Sequence, residues 1–258
     1  MSKVKQTQII GMVHLKSLDS SINDNYFNEV INSALEDIQA LQRGGVDSIM
    51  IENDGDSKYS EFLDIFHATF FAKVISEVSK NITVPFGLTV LLNDWRTGFS
   101  LSKLFGGKFI RLDTFVDDVV RISDGIEIRP NPENIMRFRK SILAQDVKVY
   151  TDVHVKHTKL IKEKSLEQSI NQAINNGTDG IIITGEWTGK PPTVEKVKEA
   201  KDIIGGRCEL IIGSGISADN IGSFSQYADK IIVGSSIKLE GKVDKTLVKT
   251  LISRSKNL

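Results

Sequence analysis

A single cysteine, Cys208, occurs in the chain, so no disulfide can form within it and no thiolate cluster can hold a metal. It stands just before Leu210-Ile211-Ile212, at the expected start of a strand, and reads as a small core residue in preference to a nucleophile. Prolines number only five in 258 residues, and no Pro-rich or Ser-rich linker interrupts the sequence. One domain spanning residues 1–258 is therefore expected. An excess of either charge is missing too: 33 basic and 33 acidic residues cancel, which argues against a nucleic-acid or anionic-membrane footprint. Any anion binding must be local. No apolar run approaches the roughly 20 residues that span a bilayer, and Met1 to Gln6 leads into one short apolar segment with no cleavage-site pattern. The chain is expected to be cytoplasmic and not membrane-spanning.

What is present is a regular alternation. Short apolar runs at 8–14, 46–53, 84–92, 108–113, 147–156, 180–185, 209–213 and 230–234 are each followed by a loop and a longer segment. Several of those segments carry apolar residues three and four apart: Phe27 to Arg43, Glu61 to Lys80, Asn131 to Gln145, Leu166 to Asn176, Thr193 to Ile204 and Asp244 to Ser253. Strand and helix in alternation imply a parallel sheet. An internal echo agrees, because Ala40 to Ile51 reappears loosely as Ala173 to Ile183, each with glycine where a helix ends and a buried strand begins. Eight such units in about 250 residues fit an α/β (β/α)8 TIM barrel. The alternative is an open doubly wound sheet, but no Gly-x-Gly-x-x-Gly follows the first strand.

In a (β/α)8 barrel, chemistry collects where the strands end, at the carboxyl-terminal mouth. Here the first strand ends at His14, the second at Glu52, the third at Asn93, and the fourth brings Arg111 and Asp113. Val147 to His157 is the most informative stretch. Valines and Thr151 occupy one alternate set, while Tyr150, Asp152, His154 and Lys156 occupy the other. That pattern suits a strand lining a pocket, or an antiparallel strand with one wet face. Acids, a base and cations from successive strands would share one concave mouth. Glu52, Asp113, Asp152 and His154 are candidates for proton transfer, and Arg111 or Lys156 for stabilising negative charge. A divalent metal is a further candidate, with His14, Glu52, Asp152 and His154 as ligands if they converge.

The last two strands end differently, at Gly213-Ser214-Gly215 and Gly234-Ser235-Ser236. Glycine lets backbone N–H groups approach phosphate oxygens, and loops after the seventh and eighth strands of such barrels frequently hold a phosphate. Thr184-Gly185 and Thr188-Gly189 are placed to enclose the same anion from the other side. The longest excursion, Thr114 to Pro130, reads as a lid, a binding loop or a solvated insertion.

These motifs resemble the BtpA/SgcQ family, named for a photosystem I biogenesis factor. The resemblance runs through Ile10 to Leu15, Glu52-Asn53-Asp54-Gly55-Asp56, Val90 to Asp94, Phe109-Ile110-Arg111, Asp124-Gly125-Ile126, Asp152 to His157, Ile183-Thr184-Gly185 with Thr188-Gly189, and Gly213-Ser214-Gly215. It implies kinship with ribulose-phosphate-binding barrels, and hence the same fold and anion site. Two places depart from the family pattern. Lys16-Ser17-Leu18-Asp19-Ser20 stands where a Pro-Leu-Pro-Gly segment is usual, and Asp54 where an aromatic is common.

Two functions follow. One is an enzyme acting by acid/base chemistry on a small phosphorylated metabolite, a sugar phosphate or nucleotide-like compound, as isomerase, lyase or transferase. The other is a non-catalytic assembly or regulatory factor that retains the barrel and its anion pocket. Expected partners are the phosphorylated small molecule and, as a candidate, further copies of the chain.

Overall fold

The computed structural model describes residues 6–17, 24–55 and 60–256. Leu18, Asp19, Ser20 and Asp56 of the motifs above lie outside the described residues. Eight parallel strands close into a barrel: β1 Gln8–His14, β2 Ser48–Glu52, β3 Phe86–Thr89, β4 Phe109–Leu112, β5 Lys148–Asp152, β6 Gly180–Ile183, β7 Glu209–Ile212 and β8 Lys230–Val233. They follow one another round the barrel in chain order, and β1 closes it by pairing with β8 as well as β2. Helices α1 Asp24–Gly44, α2 Ile65–Val78, α3 Trp95–Phe105, α4 Pro132–Ser141, α5 Leu166–Asn175, α6 Val194–Ile204, α7 Ile221–Ser225 and α8 Lys245–Lys256 follow the strands in turn. None of the described helices is long and apolar enough to cross a membrane.

Local chemistry sets the helix ends. Asp64, Asp94, Asn131 and Thr193 each accept a backbone N–H from the first turn, and Ser165 with Gln168 completes a reciprocal capping box. Helix α4 stops short of the Gln145 that periodicity suggests, because Leu143 takes a left-handed conformation at φ 56°. Helices α3 and α7, which the spacing of apolar residues does not single out, complete the repeat.

Alternation along the strands divides the core in two. Outward residues such as Val13, Ile51, Leu88, Val149, Ile183 and Val233 pack beneath the helices in the large outer core. Inward residues form a separate cluster of Ile10, Met12, Met50, Phe109, Tyr150, Ile182, Ile211 and Ile232, so the barrel axis is filled and not a channel. The rings of Phe109 and Tyr150 lie 5.1 Å apart on neighbouring strands. Room for them comes from Gly87 and Gly180, where an added Cβ would run into the ring of Phe109 and to 2.9 Å from that of Tyr150.

The excursion after β4 is not structureless. Val119–Arg121 pairs antiparallel with Glu127–Ile128 on one side and with Thr158–Leu160, from the segment after β5, on the other. This three-stranded sheet brings its own small apolar cluster: Val119 and Ile128 pack with Leu92 and Val155.

Candidate active site

The inward parity of the barrel core carries straight on into the mouth. Two residues beyond Met12 comes His14; two beyond Met50, Glu52; beyond Phe109, Arg111 and then Asp113; beyond Tyr150, Asp152. Each strand thus changes from apolar filling to ionisable side chain on the same face as it leaves the core. A cavity of about 670 Å³ lies over these residues, roofed by the small sheet. A second, of about 380 Å³, lies against the loops after β7 and β8. His14, Glu52, Arg111, Lys156, Thr188 and Ser235 line both, so the two are lobes of one mouth.

Asp152 does not open onto that space. It is buried and bound edge-on by Arg111, Nε to Oδ1 at 2.9 Å and Nη2 to Oδ2 at 2.9 Å. Burial opposes the guanidinium charge, but the carboxylate of Asp152 outweighs it and keeps Arg111 firmly protonated. Lys196, in the first turn of α6, faces Asp152 from behind and donates to the carbonyl of Thr184 at 3.3 Å. Arg111 itself lines both lobes, so the ion pair presents a fixed cation to the cavity.

Two carboxyls in the mouth are poised near neutrality. Burial raises Glu52 to about 7, against the attraction of Arg111, and burial likewise raises Asp113 to about 6. His14 is pushed the other way, to about 4, chiefly by burial and then by the charge of Lys238. Lys238 Nζ lies 2.7 Å from His14 Nδ1. An ammonium can only donate, so Nδ1 accepts and the ring proton sits on Nε2, which faces Glu52 Oε2 at 3.5 Å. Lys156 Nζ is held 3.1 Å from Thr188 Oγ1 at the rim.

His154 departs from its expected place. Strand β5 ends at Asp152, and His154 adopts φ 50°, so alternation stops before it. The cause lies in the excursion after β4: Asp117 accepts the His154 N–H at 3.2 Å, and is itself fixed by Ser169 Oγ at 2.7 Å and Lys164 Nζ at 3.3 Å. His154 lines neither lobe, its Nε2 is buried with no hydrogen-bond partner among the described residues, and burial lowers the imidazole pKa. Asn93 is also displaced from the expected site. Its amide donates to the Thr114 carbonyl at 2.9 Å and accepts the Thr114 N–H at 3.2 Å, which ties the loops after β3 and β4 together.

The proposed metal donors do not converge. Asp152 is committed to Arg111, His154 lines neither lobe, and His14 Nδ1 faces an ammonium. Among the described residues no three His, Cys, Asp or Glu side chains come together to hold a metal.

Ser214, Gly215, Gly234, Ser235 and Ser236 line the smaller lobe, whereas Thr184, Gly185 and Gly213 do not. The Gly185 N–H donates to Ser214 Oγ at 3.2 Å, which in turn donates to the Lys190 carbonyl at 3.1 Å. Gly215, at φ 68°, sits where a Cβ would strike the backbone of Lys190 and Pro191, so this loop can be built only with glycine there. Thr184 Oγ1 is buried with no hydrogen-bond partner among the described residues.

Sequence reasoning passed over Lys238, Arg121, Ile122 and Trp187, all of which line the larger lobe. Lys238 could have been suspected from its place just past the Gly234-Ser235-Ser236 strand ending. The others could not, because a folded excursion and a loop beyond β6 deliver them.

A sequence model described as the BtpA family matches residues 5–257. Curated relatives include an uncharacterised protein of Thermococcus kodakarensis, TK2179, 34% identical over 92% of this chain and 88% of its own length. Another is the photosystem I biogenesis protein BtpA of Synechocystis, 32% identical over 93% of this chain and 83% of its own. Among solved structures, a phosphoribosyl anthranilate isomerase from Thermus thermophilus superposes with a TM-score of 0.61 at 8% identity, covering 97% of this chain and 99% of its own. An N-(5'-phosphoribosyl)anthranilate isomerase from Pyrococcus furiosus gives 0.57 at 13% identity over 98% of this chain and its entire own length. At such identities these two likenesses concern the fold alone.

Proposed function

The chain belongs to the BtpA family, and we propose that it is an enzyme that binds a small phosphorylated metabolite across the barrel mouth and moves a proton on it. The observation that carries this reading is a buried and a half-buried carboxyl in one mouth, Glu52 raised to about 7 and Asp113 to about 6, beside the fixed cation of Arg111. A carboxyl near neutrality can both take and return a proton at working pH. The phosphate would rest against backbone N–H groups of Ser214, Gly215 and Gly234 to Ser236, which line the smaller lobe, whereas the Gly213 N–H is already donated to the Ile183 carbonyl at 3.0 Å.

The residues shared by both lobes would then stand beside the reacting carbons. Asp113, the more acidic of the two, takes a proton in its carboxylate form from a carbon next to a carbonyl. Arg111 and Lys156 bear the negative charge that builds on the oxygen, and Glu52, which keeps its proton up to about pH 7, returns a proton at the neighbouring atom. No atom is gained or lost, which makes an isomerisation the simplest outcome. Neutral His14, its Nε2–H directed at Glu52, holds that carboxyl in place.

The name of the Synechocystis relative favours a second reading, an assembly factor with a retained anion pocket. Thermal-shift measurements with inorganic phosphate and a panel of phosphate esters test the pocket that both readings share, and turnover of an ester that binds separates the two. Ligand at a hundred times its Kd stabilises by about 2.7 kcal/mol, a readily measured shift. Ser235 is exposed and lines both lobes, so Ser235→Glu places a carboxylate against the anion without disturbing the core. It should weaken phosphate binding at least tenfold at unchanged melting temperature. Phosphate binding that is absent from the wild type, or indifferent to Ser235→Glu, would remove the pocket from both readings, and an ester that binds there without being turned over would favour the assembly reading.

A further inference from the structure

The larger lobe has a wall that proton transfer and phosphate binding leave unexplained. Leu92, Val119, Ile128 and Val155 form an apolar cluster separate from both barrel cores, and all four face the cavity, with Leu91 beside them. Two large apolar side chains complete the wall yet remain open to solvent: Ile122, 49% exposed, and Trp187, 44% exposed. Apolar side chains left exposed together inside a concave site mark a place where a ligand covers them.

Trp187 is also held in position. Its ring meets that of His157 edge-on, centroids 5.0 Å apart at 65°, and His157 Nε2 is bonded to Thr188 Oγ1 at 2.9 Å. The indole and the aliphatic side chains of the small sheet line the same lobe, which also takes in His14, Glu52, Arg111 and Lys156. At about 670 Å³ this lobe has room for a group of drug-like size beside the phosphate-bearing chain in the smaller lobe.

We infer that the larger lobe is a subsite for a planar ring carried by the phosphorylated substrate, seated between Trp187 and the apolar roof of Leu92, Val119, Ile122 and Val155. The substrate class is therefore a phosphate monoester joined through a short carbon chain or sugar to an aromatic or heterocyclic ring. The carbons joining ring and phosphate lie over the ionisable cluster that both lobes share. This inference rests on the phosphate reading for the orientation of the substrate, but the ring wall is an independent observation.

The test compares dissociation constants for ribose 5-phosphate, adenosine 5'-monophosphate, uridine 5'-monophosphate and unphosphorylated adenosine, with wild type, Trp187→Ala and Ile122→Asn. At least one ring-bearing phosphate should bind the wild type tenfold or more tightly than ribose 5-phosphate, a difference of about 1.4 kcal/mol. Both variants should remove that advantage and leave ribose 5-phosphate binding unchanged. Equal binding of ribose 5-phosphate and both nucleotides would overturn the ring subsite while leaving the phosphate reading intact. So would a Trp187→Ala variant that weakens ribose 5-phosphate as much as the nucleotides. Adenosine binding in a Trp187-dependent way while ribose 5-phosphate fails to bind would do the reverse: the ring subsite stands and the phosphate reading falls. Failure of all four to bind would overturn both.

Discussion

Glu52 offers the sharpest physical test, because its burial ties function to stability. The side chain is almost entirely buried, and its pKa rises from 4.5 to about 7, burial being the largest cause. A raised pKa means that the folded protein holds this proton more tightly than the unfolded chain does. The resulting stabilisation is fully present below the unfolded value near 4.5 and is lost as pH rises through about 7. Converted at 1.36 kcal/mol per pH unit, that loss is about 3 kcal/mol. Glu52→Gln cannot ionise at this position. Its stability measured against that of the wild type should therefore improve by about 3 kcal/mol between pH 4 and pH 8, most of it between 4.5 and 7. Urea unfolding at fixed pH values across that range reads the difference directly. The constant offset between the two proteins reflects lost contacts to Arg111 and His14 and does not enter. Parallel stability curves, or a wild type that gains on the variant as pH rises, would refute the burial argument and with it the case for Glu52 as a proton donor near neutral pH.

Once a substrate is in hand, His154→Gln should leave kcat/KM within about threefold, because His154 lines neither lobe of the cavity. Lys156→Met should lower it by about 10²–10⁴-fold; equal losses in the two variants would contradict the turn after β5. Val153 is fully buried in the outer core, so Val153→Ala should cost about 1–3 kcal/mol of stability in urea melts while kcat/KM holds. A loss of activity without loss of stability there would mean that this residue faces the site.

Strand β5 shows where reading residues in order succeeds and where it stops. Alternation correctly separates Tyr150 and Asp152 from Val149, Thr151 and Val153, because a strand has a fixed period of two. The period holds only while the backbone stays extended. An aspartate 37 residues earlier, Asp117, accepts the His154 N–H and helps end the extension there. Nothing within Val147 to His157 contains that information. Asn93 teaches the same lesson: an amide at a strand end suits a mouth residue and a loop tie equally well, and its partner Thr114 decides between them.

The glycine and serine endings of β7 and β8, the apolar runs and the helix caps are local properties, written in residue type and spacing, and they determined the barrel and the direction in which its strands point. Which ionisable groups share solvent and which are consumed by a partner depends on strands that are distant in sequence. So Asp152 became the counter-ion of Arg111, His14 was held neutral by burial and then by Lys238, and Glu52 and Asp113 were lifted toward neutrality by burial. The apolar wall of the larger lobe is likewise a product of tertiary structure. Val119, Val155 and Trp187 come from three separate connections, and only closure of the barrel and pairing of the small sheet above it bring them around one space.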